Sequence, residues 1–262
     1  MMKKFIQELK EYKEYISYAT KANLKDDVAG SYLNWLWWIL DPLFFMMIYS
    51  FVALIVFGKG EPYFPIFVFI GLNTYNFFSK VVQESSSLIR KRKSILKKVY
   101  LPKYMLVVIS ILENLFKTAV AFSLIIILMP LYHVPLSWRL IQIIPIFATL
   151  VVYTFGIATI VMHYGVFFSD LSHFVHVILR LFFYLSGIFY SIPNRVAAPY
   201  DKLVLTFNPT AFIIDALRKS ILEQSSYNHL NLFGILAVGL LLSAVGIRLI
   251  SKNENTYIKV TQ

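Results

Sequence analysis

The 262-residue chain has no cysteine and little charge, with only 15% of its residues being Asp, Glu, Lys or Arg. The first absence excludes disulfides and thiolate metal sites. The second argues against an ordinary soluble domain, whose surface normally brings the charged share of the chain to about 25%. Negative charge is the scarcer sign: 14 acidic residues stand against 25 Lys and Arg, for a net charge of +11. No G-x-x-x-x-G-K-[ST] phosphate loop occurs, so the chain cannot hydrolyse ATP by that route. What fills the sequence instead is 58% hydrophobic and 17% aromatic, the composition of an integral membrane protein.

A membrane-spanning helix needs about 20 mostly apolar residues. Six segments qualify, at 33–57, 65–82, 105–132, 140–168, 174–192 and 232–250. The fold class expected is therefore all-α integral membrane with six transmembrane helices. Ahead of them, Phe5, Leu9, Tyr12, Ile16 and Ala19 recur at steps of three and four, with Lys3, Lys10, Lys13 and Lys21 largely elsewhere around the helix. Residues 1–32 are thus expected to lie as an amphipathic interfacial helix on a membrane face, and 33–262 to form one transmembrane domain. The N-terminal stretch is too charged for the apolar core of a cleaved signal peptide, so the first span is expected to stay as an anchor.

The basic residues sit mainly at the edges of the apolar segments, where anionic lipid and topology attract them, and nucleic acid is not an expected partner. An even number of spans puts both termini on one side. That side carries sixteen Lys and Arg in the terminal segments and the loop after span two, against six in the opposite connections. Termini and basic loop are therefore expected to be cytoplasmic.

Between spans five and six, residues 193–231 are too long for a tight turn and too apolar for a free loop. Asn208 can cap a helix started by Pro209, with Phe212, Ile213, Ala216, Leu217 and Ile221 as its apolar face. Two readings stay open, an interfacial helix and a re-entrant pair that dips into the membrane.

The loop "SSSLIRKRKSILKKVYLP" (85–102) concentrates six cations between Arg90 and Lys98. Leu88, Ile95, Leu96 and Val99 fall at helical spacing, Ser85 to Ser87 offer N-caps and Pro102 ends the run, so a short amphipathic helix is expected. From composition alone, its charge would serve topology and anionic lipid.

The wording of the chain adds a resemblance. "NTYNFFSKVVQESSSLIRKRKSILKKVYLPKYML" (73–106) resembles the second span and following loop of ABC-2 type permeases of the polysaccharide-export family, the O-antigen and teichoic-acid exporters. "AGSYLNWLWWILDPLFFMMIYSF" (29–51) is similar to that family's first-span signature, and "FNPTAFIIDALRKSIL" (207–222) to its Asn-Pro segment before the last span. The order and spacing match over most of the chain. Departures include Val28-Ala29 in place of a basic-aromatic pair, Asn34 for Gly, Asp41-Pro42 for Asn-Pro, Ser169-Asp170 for Arg-Asp and Ser186-Gly187 for Ser-Pro.

The resemblance implies a permease subunit, without enzyme activity of its own, in the bacterial cytoplasmic membrane. Two copies would work with two copies of a separate ABC ATPase, which uses ATP and Mg, while this chain binds no cofactor. The substrate implied is a lipid-linked polysaccharide moved outward. The basic loop would be a coupling helix docking into the ATPase through Leu88, Ile89, Arg90, Lys91, Arg92, Ile95, Leu96 and Lys98, its apolar members buried and its cations steering. An ABC-2 exporter of a drug or small lipid and an intramembrane enzyme acting on a lipid-linked sugar are the alternatives.

Glu113 and Lys117 stand four apart in span three, where a neutralising pair is expected in preference to a proton relay. Lys80 and Arg180 either snorkel or face a polar conduit. Asp170, His173 and His176 form D-x-x-H-x-x-H, but the first and last lie 240° apart around a helix, so no metal site is expected. Trp35, Trp37 and Trp38 suit an interfacial aromatic belt. The substrate conduit is assigned to Trp38, Phe45, Tyr49, Tyr184, Phe189 and Tyr190, whose rings either pack or offer flat faces to sugars. Asn208, Pro209 and Phe212 are assigned to an outer gate. Besides its substrate and ATPase, the chain is expected to contact membrane lipids.

Overall fold

The computed structural model describes residues 2–30, 32–56, 60–96 and 100–260, and the described residues form helices and turns with no strand. The N-terminal stripe folds as two helices, α1 (Met2–Glu11) and α2 (Lys13–Val28), separated at Tyr12. Its apolar face is turned onto protein: Ile16 is buried, and the Phe5 ring lies 5.3 Å from that of Tyr104 and 5.6 Å from that of Phe155. Expected as one helix, this segment is a pair of helices packed on the bundle.

Next come α3 (Trp37–Phe51), prolonged by a π turn at Val52–Val56, and α4 (Phe64–Ser85). The basic loop holds α5 (Leu88–Lys91) and α6 (Lys93–Leu96) and leads to α7 (Tyr104–Leu131). After a 3-10 turn at Trp138–Gln142 follow α8 (Ile143–Phe167) and α9 (Leu171–Leu185). Three shorter helices, α10 (Ile192–Arg195), α11 (Tyr200–Phe207) and α12 (Pro209–Arg218), precede a π turn at Lys219–Glu223 and the long α13 (His229–Val260).

Among the described residues, four helical stretches are long and apolar enough to cross a membrane: Trp37–Ile55, Tyr104–Leu131, Trp138–Phe167 and His229–Glu254. The other two expected spans differ for separate reasons. At 22 residues, α4 reaches about 33 Å, but Asn73, Thr74, Asn76, Ser79 and Lys80 dilute its apolar run. It is the central helix of the bundle, packed against α3, α7, α8, α9 and α12 and buried along most of its length. By contrast α9 stops after 15 residues, about 22 Å and short of the hydrocarbon core. Gly187, at φ +64°, turns the chain there, in a region of φ where side chains other than glycine are strained. The apolar run up to Ile192 therefore continues past the helix end as a turn.

Candidate conduit and coupling surface

Two adjoining cavities open along the inner part of the bundle. One, of about 420 Å³, is walled by the end of α2, by α3, by α4 and by α7; the other, of about 610 Å³, is walled by the end of α2, by α4, by α7 and by α9. Asp27, Asn76, Lys80 and Lys117 line both. The bundle gathers Lys80, Lys117 and Arg180, which the sequence keeps on three separate helices, around one polar space.

The expected Glu113–Lys117 pair is not formed. Lys117 Nζ lies 2.5 Å from Asp27 Oδ2, and Glu113 accepts a hydrogen bond from Asn23. Helix α2 runs beside α7 and brings Asn23 and Asp27, themselves four apart, level with the two charges. A single-helix argument could not foresee partners 90 residues away. Behind them Ser110 Oγ donates to Glu84 Oε2 at 2.6 Å and Asn114 Nδ2 donates to the same oxygen at 3.3 Å, tying α7 to α4.

Lys80 makes no ion pair among the described residues, and Arg180 Nη2 meets only the His176 ring, at 2.9 Å between Nη2 and Nε2. Both are exposed on the α4/α9 face. His173 and Asp170 remain apart from that contact, and no cluster of three metal-ligand side chains is gathered among the described residues.

The aromatics assigned to spans one and five do meet. Phe45 stacks near Tyr49 with centroids 6.4 Å apart, Tyr49 lies 4.4 Å from Phe189, and Phe189 lies 5.5 Å from Phe183, which touches Tyr75 and Tyr184. Tyr190 Oη donates to the Tyr184 carbonyl at 3.0 Å. Phe45 and Tyr184 are exposed, at 54% and 63%. Trp38 lies apart from this ladder, edge-on to Phe116, though it lines the smaller cavity with Phe45. Phe183 and Tyr75 were missed because neither stands out in a sequence so rich in rings.

In the basic loop the expected single helix is broken at Arg92 into α5 and α6, and Ser87 stands at the N-cap position of α5 without a side-chain capping bond. Ser85 and Ser86 hydroxyls donate back to the Val81 and Gln83 carbonyls instead. Leu96 and Ile89 are buried within this chain, at 7% and 3%, and Leu88 is half-buried against the same core. In this chain these apolar residues pack the loop against its own bundle. Lys91 and Ser94 are the exposed positions, Arg90, Arg92 and Lys93 are half-exposed, and Arg90 reaches the Ser169 carbonyl at 3.5 Å. The side chain of Ile95, and Lys98 altogether, lie outside the described residues. Lys103, just past the loop, is 2% exposed and paired with Glu254 at 3.2 Å. Burial and the neighbouring Glu254 carboxylate push the Tyr100 phenol above its ordinary pKa.

At the other end Asn208 does cap α12: its Oδ1 accepts from the Ala211 N–H at 3.2 Å. The cap is buried, and Asn208 Nδ2 donates to Ser186 Oγ at 3.2 Å. Pro209 is half-buried, Phe212 is 3% exposed, and every residue from Thr210 to Arg218 is buried.

A match to the ABC-2 type transporter family covers residues 15–222. The chain belongs to that family. It is also 25% identical over 241 residues to the O-antigen export system permease protein RfbA of Myxococcus xanthus, covering 92% of this chain and 93% of the relative. Two relatives of the same name from Klebsiella pneumoniae are 25% and 26% identical over 246 residues, each covering 92% of both chains. Membership makes this a membrane transporter subunit and implies an ABC ATPase as its partner.

Proposed function

We propose that this ABC-2 chain is the permease of an ATP-driven exporter that moves a lipid-linked polysaccharide, of the O-antigen or teichoic-acid kind, out across the bacterial cytoplasmic membrane. The observation that carries the reading is the juxtaposition of Lys80 and Arg180, neither in an ion pair among the described residues, with the aromatic ladder that joins α3 to α9 and the turn after it. Cations at a polar cavity suit the phosphate that joins lipid to glycan, and ring faces suit sugars. Names and coverage of the O-antigen permeases support the same substrate class. A drug or small-lipid exporter would need a smaller and more apolar pocket.

Six crossings remain the topology proposed. The sixth-span count is reached if α4 crosses with its polar residues turned to the cavity, and if α9 with the α10–α12 segment completes one crossing. Helix α12 is taken as re-entrant, since a helix lying on a surface buries one face, and this one is buried all round. Termini and basic loop face the cytoplasm by the excess of Lys and Arg. Two copies of the chain enclose the conduit and two ATPase subunits drive it. The loop engages the ATPase through its outward cations, Lys91 foremost, with Leu88, Ile89 and Leu96 holding the loop to the bundle.

Depletion of the protein tests the function directly. Cytoplasmic accumulation of a lipid-linked glycan, together with co-purification of an ABC ATPase, is expected. Accumulation of no glycan, with export of a small amphiphile lost instead, would overturn it.

A further inference from the structure

A third cavity, of about 960 Å³, lies between α2 and α7 and borders the smaller polar cavity at Val28 and Trp38. Its walls are apolar, with Trp35, Trp38, Val108, Leu112 and Phe116 among them, and Trp35, Leu112 and Phe116 are exposed at 56%, 37% and 48%. Its rim is cationic. Lys13, Lys21 and Lys25 all line it, no Asp or Glu does, and none of the three lysines forms an ion pair among the described residues.

The spacing of these charges matters. Lys21 and Lys25 are one helical turn apart, so both ammonium groups can serve one phosphate, while Lys13 lies about 12 Å back along the axis. An apolar trough with acid-free cations at its edge matches a ligand with a hydrocarbon tail and an anionic head. The trough runs along α7, which is long and apolar enough to span the membrane, so a bilayer lipid reaches it by lateral diffusion. We infer that the α2–α7 groove is a specific site for one anionic phospholipid, its acyl chain against Trp35, Leu112 and Phe116 and its phosphate on Lys21 and Lys25. The inference does not depend on what is exported. Its consequence is local: α2 also carries Asn23 and Asp27, the partners of Glu113 and Lys117, so a lipid that steadies α2 steadies one wall of the polar cavity.

Tryptophan quenching tests it on the full chain in vesicles. In a Trp37→Phe/Trp138→Phe background only the two groove tryptophans report. Phosphatidylglycerol with brominated acyl chains is expected to quench at lower mole fraction than brominated phosphatidylcholine. Lys21→Gln/Lys25→Gln should weaken the phosphatidylglycerol response roughly fivefold per lysine. Should that variant not fold, raising ionic strength on the parent must shrink the same preference. Equal quenching by the two lipids means ordinary annular lipid and overturns the site, as does a preference that survives the lysine changes or salt. Displacement of the lipid by inorganic phosphate at matched ionic strength would assign the lysines to free phosphate and equally overturn it.

Discussion

Arg218 is buried, and its guanidinium spends its hydrogen bonds on main-chain carbonyls: Phe67 O at 3.1 and 3.0 Å, Gly187 O at 2.7 Å and Ile188 O at 2.7 Å. Its plane also lies 3.4 Å over the Phe67 ring. Three elements are joined by this one side chain: α12, the start of α4 and the turn that ends α9. A planar fork can reach carbonyls on both partners at once, which a lysine ammonium cannot. Arg218→Met should therefore strip the buried Gly187 and Ile188 carbonyls of their side-chain donor and cost on the order of 3–5 kcal/mol, read as a lower unfolding midpoint in detergent, with Arg218→Lys in between. Equal midpoints for parent and Met variant would show that the fork is dispensable. At the other end of α12, Asn208→Ala removes the cap and the Ser186 contact, for about 0.5–2 kcal/mol. Insertion and ATPase binding should persist while export falls or leaks, measured as glycan at the surface against glycan inside.

At the scale of elements, the basic loop is seated on α8 where the chain has no side chain at Gly165: a Cβ there would press into the Ser86 carbonyl group. Alanine is a better helix former than glycine by about 1 kcal/mol, so Gly165→Ala should help α8 locally and harm the contact. Expected is ATP hydrolysis by the assembled complex with diminished transport per ATP. Gly234→Ala is the control, since nothing lies within 4 Å of its Cβ and both activities should be unchanged. A fully coupled Gly165→Ala complex would remove the loop–α8 seat from the coupling route. The same elements show what the sequence made legible. Four apolar stretches could be read at sight because solvent exclusion in a bilayer demands unbroken hydrophobicity. The end of α9 could not, because the turn at Gly187 is as apolar as the helix before it. Nor could the inward facing of Ile89 and Leu96, since an amphipathic loop reads the same whether its apolar side meets a partner or its own bundle. The α3–α9 aromatic meeting was legible from ring excess on both segments, whereas the Asp27–Lys117 and Asn23–Glu113 contacts needed the fold.

For the whole molecule, the exposed surface of one copy poses a problem that a lipid environment cannot solve. The α4/α9 face combines exposed Phe174, Val177, Leu181 and Tyr184 with exposed Lys80 and Arg180. Apolar rings suit hydrocarbon, but cations without an ion pair among the described residues belong at a water-filled passage or against protein. The second copy proposed above would satisfy both by closing over this face, with rings at the seam and cations toward the enclosed space. Single cysteines test this cleanly because the chain has none of its own. Tyr184→Cys, at an exposed ring, should crosslink between copies with a short bifunctional thiol reagent. Tyr49→Cys, half-buried beside Phe189 at 4.4 Å, should react with a membrane-impermeant thiol reagent slowly at rest. Trapping the ATPase in its nucleotide-bound state should raise that rate as α3 parts from α9. Ile127, exposed at 61% on α7, serves as the lipid-facing control and should stay unlabelled in both states. Faster labelling at Ile127 than at Tyr49, without crosslinking at Tyr184, would move the passage to α7 and leave Lys80 and Arg180 without a function.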